Sequence, residues 1–219
     1  MVQELRYFPT TCVDNFFDDA NVVREFALQQ EFFKSPEGLF PGKRTKYLDE
    51  LSEELYGQFC EKLAKVFYDL RKTKIHWEAS VSFQLIESYK DIELNRGWVH
   101  QDNNALLGGI VYLNKTSQPG SGTSICDLNP GETFDWSQSL KHRFNQGKID
   151  NLDYYKERLK QENDKFTDTI TFQNKFNRMV CFDGTTYHRV DNFNIGTEPR
   201  LTLVFFIHAI EAPWFPLNN

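Results

Sequence analysis

His100 and Asp102 stand two residues apart in Trp98-Val99-His100-Gln101-Asp102-Asn103. A second imidazole, His188, lies far downstream in Phe182-Asp183-Gly184-Thr185-Thr186-Tyr187-His188-Arg189-Val190. In extended chain, residues i and i+2 project from one face, so His100 and Asp102 can address a single ion. Two imidazoles and one carboxylate, with coordination positions left open, suit iron(II) and oxygen chemistry that side chains alone cannot perform. The same set also suits zinc(II), which would activate water for hydrolysis. A third class stays open as well: a non-catalytic binding module in which the triad is vestigial. The other histidines are explained structurally. His76 precedes Trp77 at a strand start, His142 lies in a polar stretch, and His208 sits in the last apolar strand.

A carboxylate receptor follows the second histidine. Pro199-Arg200-Leu201-Thr202 opens an apolar strand, with Arg200 twelve residues beyond His188. Arg200 and Thr202 share a strand face. A planar guanidinium takes a carboxylate in two parallel hydrogen bonds, and a neighbouring hydroxyl supplies a third. A zinc hydrolase would leave this pair without a purpose.

His100-x-Asp102, His188 and Arg200-x-Thr202, in that order, resemble the motifs of the Fe(II)/2-oxoglutarate-dependent dioxygenases, most closely their prolyl 4-hydroxylase-like branch. Gly109-Ile110-Val111-Tyr112-Leu113-Asn114 is similar to that branch's Tyr-Leu-Asn strand. Pro119-Gly120-Ser121-Gly122-Thr123 is similar to its Gly-Gly-x-Thr turn, with Ser121 interrupting the glycines. The resemblance implies that His100, Asp102 and His188 are the metal ligands and catalytic centre. It implies that Arg200, Thr202 and Tyr112 hold the distal carboxylate of 2-oxoglutarate. Fe(II), 2-oxoglutarate and O₂ are then the cofactor and cosubstrates. The implied reaction is hydroxylation of a C–H bond in a protein side chain, amino acid or small metabolite, with release of succinate and CO₂. Asp102 is the carboxylate that halogenating relatives lack, which disfavours halogenation. Gln84 falls where the family often lines its pocket. The implied fold is a double-stranded β-helix, a cupin-like jelly roll of two sheets, over residues 80–210.

The elements needed to position these groups are partly visible in the hydrophobic periodicity. After Asp18 and Asp19, residues Val22, Val23, Phe26, Ala27 and Phe33 predict one helix, ending before Ser35-Pro36-Glu37-Gly38. A second helix is predicted from Asp49, with Leu51, Leu55, Phe59, Leu63, Phe67 and Leu70 on one stripe and Arg71 and Lys72 at its end. From Ser80 the period becomes two, with Val81, Phe83 and Leu85 on one side and Ser82, Gln84 and Ile86 on the other. Further strands are predicted over 105–114, 121–128, 178–182 and 201–210. Mainly β architecture with flanking N-terminal helices follows. It reads as one domain over 1–219, with a helical support region over 1–79. A polar insertion over about 129–173 carries one helix near 152–166, with Tyr155, Leu159 and Phe166 facing inward.

The whole-chain chemistry narrows the partners. A length of 219 residues suits a single core, and 20 Phe, nine Tyr and four Trp suit a ring-filled interior. A net charge of −6 leaves no basic footprint for nucleic acid or an anionic membrane. The expected partner is a small-molecule, peptide or protein substrate. No run approaches the roughly 20 apolar residues of a membrane span, and residues 1–8 lack the order of a secretory signal, so a cytoplasmic location is expected. Cys12, Cys60, Cys126 and Cys181 read as packed free thiols. The basic loop Gly42-Lys43-Arg44-Thr45-Lys46 and the acidic, aromatic part of the insertion around Asp135 and Trp136 read as solvated surface rather than a substrate entrance.

Overall fold

Asp19 opens the first helix. Its carboxylate accepts from the main-chain N–H groups of Asn21 and Val22, and α1 (Ala20–Leu28) follows. The computed structural model describes residues 6–134 and 138–218. The helix stops short of the predicted Phe33, whose main chain exchanges hydrogen bonds of 2.7 and 2.9 Å with Arg44 and so cannot serve an intrahelical ladder. The second predicted helix is two: α2 (Leu48–Leu51) and α3 (Glu53–Phe67). Ser52 breaks them apart in extended conformation, and its hydroxyl caps α3 by accepting from Leu55 N–H at 3.2 Å, the local bond that makes serine a better cap than helix interior.

The rest is mostly antiparallel β-structure, as expected. The strands are β1 (Arg6–Tyr7), β2 (Thr11–Val13), β3 (Lys43–Arg44), β4 (His76–Ile86), β5 (Leu107–Tyr112), β6 (Thr123–Leu128), β7 (Phe166–Phe172), β8 (Met179–Asp183), β9 (His188–Val190), β10 (Arg200–Glu211) and β11 (Leu217–Asn218). They form a six-stranded sheet in the order β2-β8-β5-β10-β4-β3, a three-stranded sheet β7-β6-β9, and the small pair β1-β11. The first third is therefore more than helical support, since β2 and β3 form both edges of the large sheet and β4 begins at His76.

The period of two decides which side chains meet. Val81 and Phe83 of β4, Leu201, Leu203, Phe205 and Ile207 of β10, and Leu107 and Val111 of β5 bury one face of the large sheet against Ala20, Val23 and Ala27 of α1 and Phe59 and Leu63 of α3. Phe59 meets Phe205 at 5.1 Å between ring centroids. Burying each such ring contributes about 1.5–3 kcal/mol. The opposite face carries Ile110, Tyr112, Val180 and Phe182, which pack with Ile125 and Phe172 of the smaller sheet. The candidate site lies on that inner face.

The insertion holds more structure than its polarity predicts. It contains α4 (Gln138–Asn145), α5 (Leu152–Asn163) and β7, which pairs with β6. Phe166 starts the strand and does not close the helix. Tyr155 and Leu159 do face inward, clustering with Leu94 and Trp98 and packed by Leu140 and Phe144. All four cysteines are free; Cys126 and Cys181 are buried, Cys60 is half-buried, and Cys12 is exposed because it occupies an edge strand. Among the described residues, no helix is long and apolar enough to cross a membrane.

Candidate metal centre and its pocket

His100 and His188 are brought together by the backbone. They face each other in an antiparallel bridge, and each N–H donates to the other's carbonyl at 2.9 Å. Asp102 is held next to them because its N–H donates to Gly184 O at 2.8 Å. Glycine is required at 184, since a Cβ there would lie 1.9 Å from Ala105 O. Gly108 makes room for the carboxylate itself: a Cβ would stand 2.9 Å from Asp102 Oδ2. The resulting Nε2–carboxylate distances are 3.9 Å from His100 and 3.4 Å from His188. One ligand atom from each of the three residues lies within 4.8 Å of the others.

The protonation states also suit an ion. Nδ1 of His100 bonds to Trp98 O at 2.8 Å and Nδ1 of His188 to Thr186 O at 2.9 Å. A carbonyl can only accept, so Nδ1 donates in both rings and Nε2 is the nitrogen that faces Asp102. Burial, reinforced by Lys141 and His188, pulls His100 well below the ordinary imidazole value. Burial alone would raise Asp102, but His188, His100 and Lys141 together hold its carboxyl well below the usual carboxylate range. An imidazole drawn toward its neutral form at His100, beside an ionised carboxylate at Asp102, suits the binding of a cation. The ring partners are main-chain carbonyls, not side chains. Gln101, between His100 and Asp102 in the chain, donates to Thr185 O at 2.5 Å, and Asp191 lies 3.6 Å from Arg189.

The insertion braces His100. Buried Asn163, at the end of α5, accepts from Val99 N–H and donates to Gly97 O, both at 2.9 Å. Trp98 Nε1 donates to the Tyr155 hydroxyl at 2.7 Å. His100 is thus anchored on both sides of its own main chain, by β9 and by α5.

The same inner sheet face carries Arg200, 1% exposed. Its Nε and Nη2, together with Thr202 Oγ1, are buried with no hydrogen-bond partner. Asn114 fixes the backbone around it, accepting from Leu201 N–H at 2.7 Å and donating to Pro199 O at 2.8 Å. The Arg200 Cζ lies 5.5 Å from the centre of the Tyr112 ring, and the Tyr112 hydroxyl donates to Thr123 Oγ1 at 2.8 Å. A buried guanidinium with idle N–H groups is costly unless an anion completes it.

A cavity of about 350 Å³ joins the two ends, lined by His100, Asp102, His188, Gln84, Thr123 and Arg200 among others. Thr123 lines it, while Thr202 and Tyr112 belong to the sheet face around Arg200. His76, His142 and His208 are not part of the metal cluster. His208 bonds to Ser80 Oγ at 2.6 Å and to Asn104 O at 3.0 Å. Three cations absent from the expected site do line the cavity: Arg44, from the loop read as solvated surface, Lys141, from α4, and Arg189, from β9, which is paired with Asp168. Leu140 and Phe144, four residues apart, were the available sign of that helix. Asp135 and Trp136 lie outside the described residues.

Solved structures with this fold include enzymes that use 2-oxoglutarate. HygX from Streptomyces hygroscopicus, crystallised with nickel and 2-oxoglutarate, is 14% identical over 91% of this chain and 82% of its own, with a TM-score of 0.53. The non-haem α-ketoglutarate-dependent epimerase SnoN of nogalamycin biosynthesis is 14% identical over 92% and 79%, with a TM-score of 0.52. A prolyl hydroxylase from Trichoplax adhaerens, in complex with a hypoxia-inducible-factor peptide fragment, is 12% identical over 91% and 83%, with a TM-score of 0.50. At these identities the likeness shows the fold. A search of curated proteins returns no match. A family model described as a family of unknown function, DUF6445, matches residues 4–191, which is most of the sequence, and the chain belongs to that family.

Proposed function

We propose that this chain is a non-haem Fe(II)- and 2-oxoglutarate-dependent dioxygenase of prolyl 4-hydroxylase-like type, built on a double-stranded β-helix. One observation carries the reading. A His-Asp-His cluster and a buried guanidinium with idle donors both line one cavity. A zinc hydrolase would need the first and leave the second unexplained.

In this reading His100 and His188 offer Nε2 lone pairs and Asp102 one carboxylate oxygen, leaving coordination positions open toward the cavity. Iron bound there, with 2-oxoglutarate and O₂, would supply the oxidising power to hydroxylate a C–H bond, releasing succinate and CO₂. The chain's own part is to bind and orient. Arg200 donates Nε–H and Nη2–H to the distal carboxylate of 2-oxoglutarate, with Thr202 adding its hydroxyl. Tyr112 packs beside the guanidinium and orients Thr123 through their hydrogen bond, so that the Thr123 hydroxyl remains a donor toward the same carboxylate. Gln84 donates to Pro41 O at 2.9 Å and fixes the loop that walls the cavity. The apolar rings of Phe182, Phe193 and Phe206 keep the walls dry, which strengthens each of these polar contacts.

The test is anaerobic titration of the Fe(II)-loaded chain with 2-oxoglutarate, following the visible charge-transfer band that chelation produces. A saturable band, shifted to much higher 2-oxoglutarate concentration in Arg200→Ala, is the expected result. Bound iron with no band would overturn the reading.

A further inference from the structure

The period of two along β10 breaks once. Leu201, Leu203, Phe205 and Ile207 pack into the main core, and an unbroken strand would continue with Ala209. Ile210 packs there instead, and Ala209 is exposed. On the paired strand β4, Val81, Ala79 and Trp77 keep their alternation throughout. The extra residue therefore belongs to β10, and the register assigns it to His208: Ile207 lies opposite Ala79, and Ala209 opposite Glu78. A bulge of this kind leaves one residue unpaired and re-aims its side chain.

The His208 side chain is aimed at the turn that follows Asp102. Its ring lies beside that of Phe206, a cavity-lining residue, with centres 6.4 Å apart. Gly108 fits between Phe206 and the Asp102 carboxylate, since an added Cβ would stand 3.7 Å from the first and 2.9 Å from the second. Nδ1 of His208 lies 3.0 Å from Asn104 O, and because a carbonyl only accepts, Nδ1 is the donor. Nε2 lies 2.6 Å from Ser80 Oγ on β4, which holds the ring from its other side. One imidazole thus joins β4, β10 and the main chain two residues beyond Asp102.

That turn has little else to hold it. Asn103, Asn104 and Leu106 are exposed. Main-chain bonds fix its two ends, Asp102 N–H to Gly184 O at 2.8 Å and Leu106 N–H to Ile207 O at 2.7 Å, and Ala105 N–H closes it on Asp102 O. Among the described residues, His208 makes the one side-chain hydrogen bond to residues 103–105. Groups outside the ligand set that fix a ligand's direction tune metal affinity without touching the ion.

We propose that His208 is a positioning residue of the metal centre: through Asn104 O it fixes the turn next to Asp102, and with it the direction of that carboxylate. This rests on the metal site of the oxygenase reading above. The experiment is titration of the full chain with Co(II) alone, whose visible absorption follows both occupancy and coordination geometry. Asparagine carries an N–H donor at the position of Nδ1, and glutamine carries one at the position of Nε2. His208→Asn therefore keeps the reach to Asn104 O, whereas His208→Gln keeps only that to Ser80. The Co(II) dissociation constant should rise about fivefold in His208→Ala and in His208→Gln, the worth of one net hydrogen bond, and stay within about twofold in His208→Asn. The Co(II) spectrum should change in the first two variants and return in the third. Melting temperatures are recorded for each, and His208→Gln carries the test if His208→Ala does not fold. Unchanged Co(II) affinity and spectrum at a lowered melting temperature, or a loss in His208→Asn as large as in His208→Gln, would overturn the role. No Co(II) binding by the unaltered chain would overturn the metal centre and this role with it. Co(II) binding that depends on His208, beside an absent Fe(II)–2-oxoglutarate band, counts against the oxygenase reading and leaves the role of His208 standing.

Discussion

The Arg200 end of the cavity and the His100 end are held in place by different means. Arg200 sits in a long strand with neighbours on both sides, β4 and β5, and its direction follows from register: Thr202 lies opposite both Gln84 and Tyr112, so alternate residues of three strands share one face. His100 lies outside any long strand. It is positioned by one bridge to His188, by Asn163 gripping the main chain around Trp98, and by the ring contact of Trp98 with Tyr155 at 5.7 Å. A register distributes its constraint over many main-chain bonds, so one side chain can be removed without moving the rest. A grip by one amide cannot be shared. Substitutions at the two ends should therefore fail in different ways.

The largest difference is between the ligands and the guanidinium. Asp102→Ala is expected to abolish 2-oxoglutarate turnover and iron retention together, measured as succinate formed and iron per chain after desalting. Arg200→Ala is expected to keep its iron and lose the cosubstrate. Truncating one partner of a buried charge pair costs about 2–5 kcal/mol, so the 2-oxoglutarate dissociation constant should rise by at least about 30-fold. If Arg200→Ala lost iron as readily as Asp102→Ala, the two ends would not be independent and the roles assigned to them would be wrong.

Asn163→Ala sharpens the contrast from the other side, since Asn163 touches neither metal nor substrate. It would leave Val99 N–H and Gly97 O without their buried partner, at a cost of about 1–3 kcal/mol in stability. The iron dissociation constant should rise about tenfold, at the lower edge of what outer-shell partners of metal ligands usually cost. Thermal melting with and without iron, beside an iron titration, reads both effects. A lowered melting temperature with unchanged iron affinity would reduce the insertion to a structural prop.

The same difference explains what the sequence could disclose. Strand periodicity located β4, β5, β8 and β10, and with them the inner face that carries Gln84, Tyr112, Arg200 and Thr202, because alternation is a property of side-chain order alone. The insertion was legible only as one helix, because α4 and α5 each offer only two apolar side chains to the cluster with Trp98 and Leu94 and are otherwise mostly polar. The split of α2 from α3 turned on the conformation of a single serine. Arg44 and Lys141 were invisible for a further reason. A net charge of −6 describes the chain as a whole, whereas the cavity gathers cations from β3, α4, β9 and β10 that lie far apart in the chain. Gly108 and Gly184 carried no signal either, since the need for a missing Cβ appears only when Asp102 and Ala105 approach them in space.

Tyr112→Phe is the smallest of these changes and the most direct probe of how a register-built end behaves. The ring is 0% exposed and packed on the sheet, so its position should survive the loss of the hydroxyl. What disappears is the hydrogen bond to Thr123, and Thr123 is the residue of the pair that reaches the cavity. A net bond of about 1 kcal/mol corresponds to roughly a fivefold rise in the 2-oxoglutarate dissociation constant. Iron affinity and melting temperature should hardly move. Thr123→Ala should weaken 2-oxoglutarate by at least as much, and the double variant by no more than Thr123→Ala alone, because Tyr112 acts through Thr123. Losses that add in full in the double variant would mean instead that Tyr112 meets the cosubstrate directly, as the resemblance to the prolyl 4-hydroxylase-like branch implies.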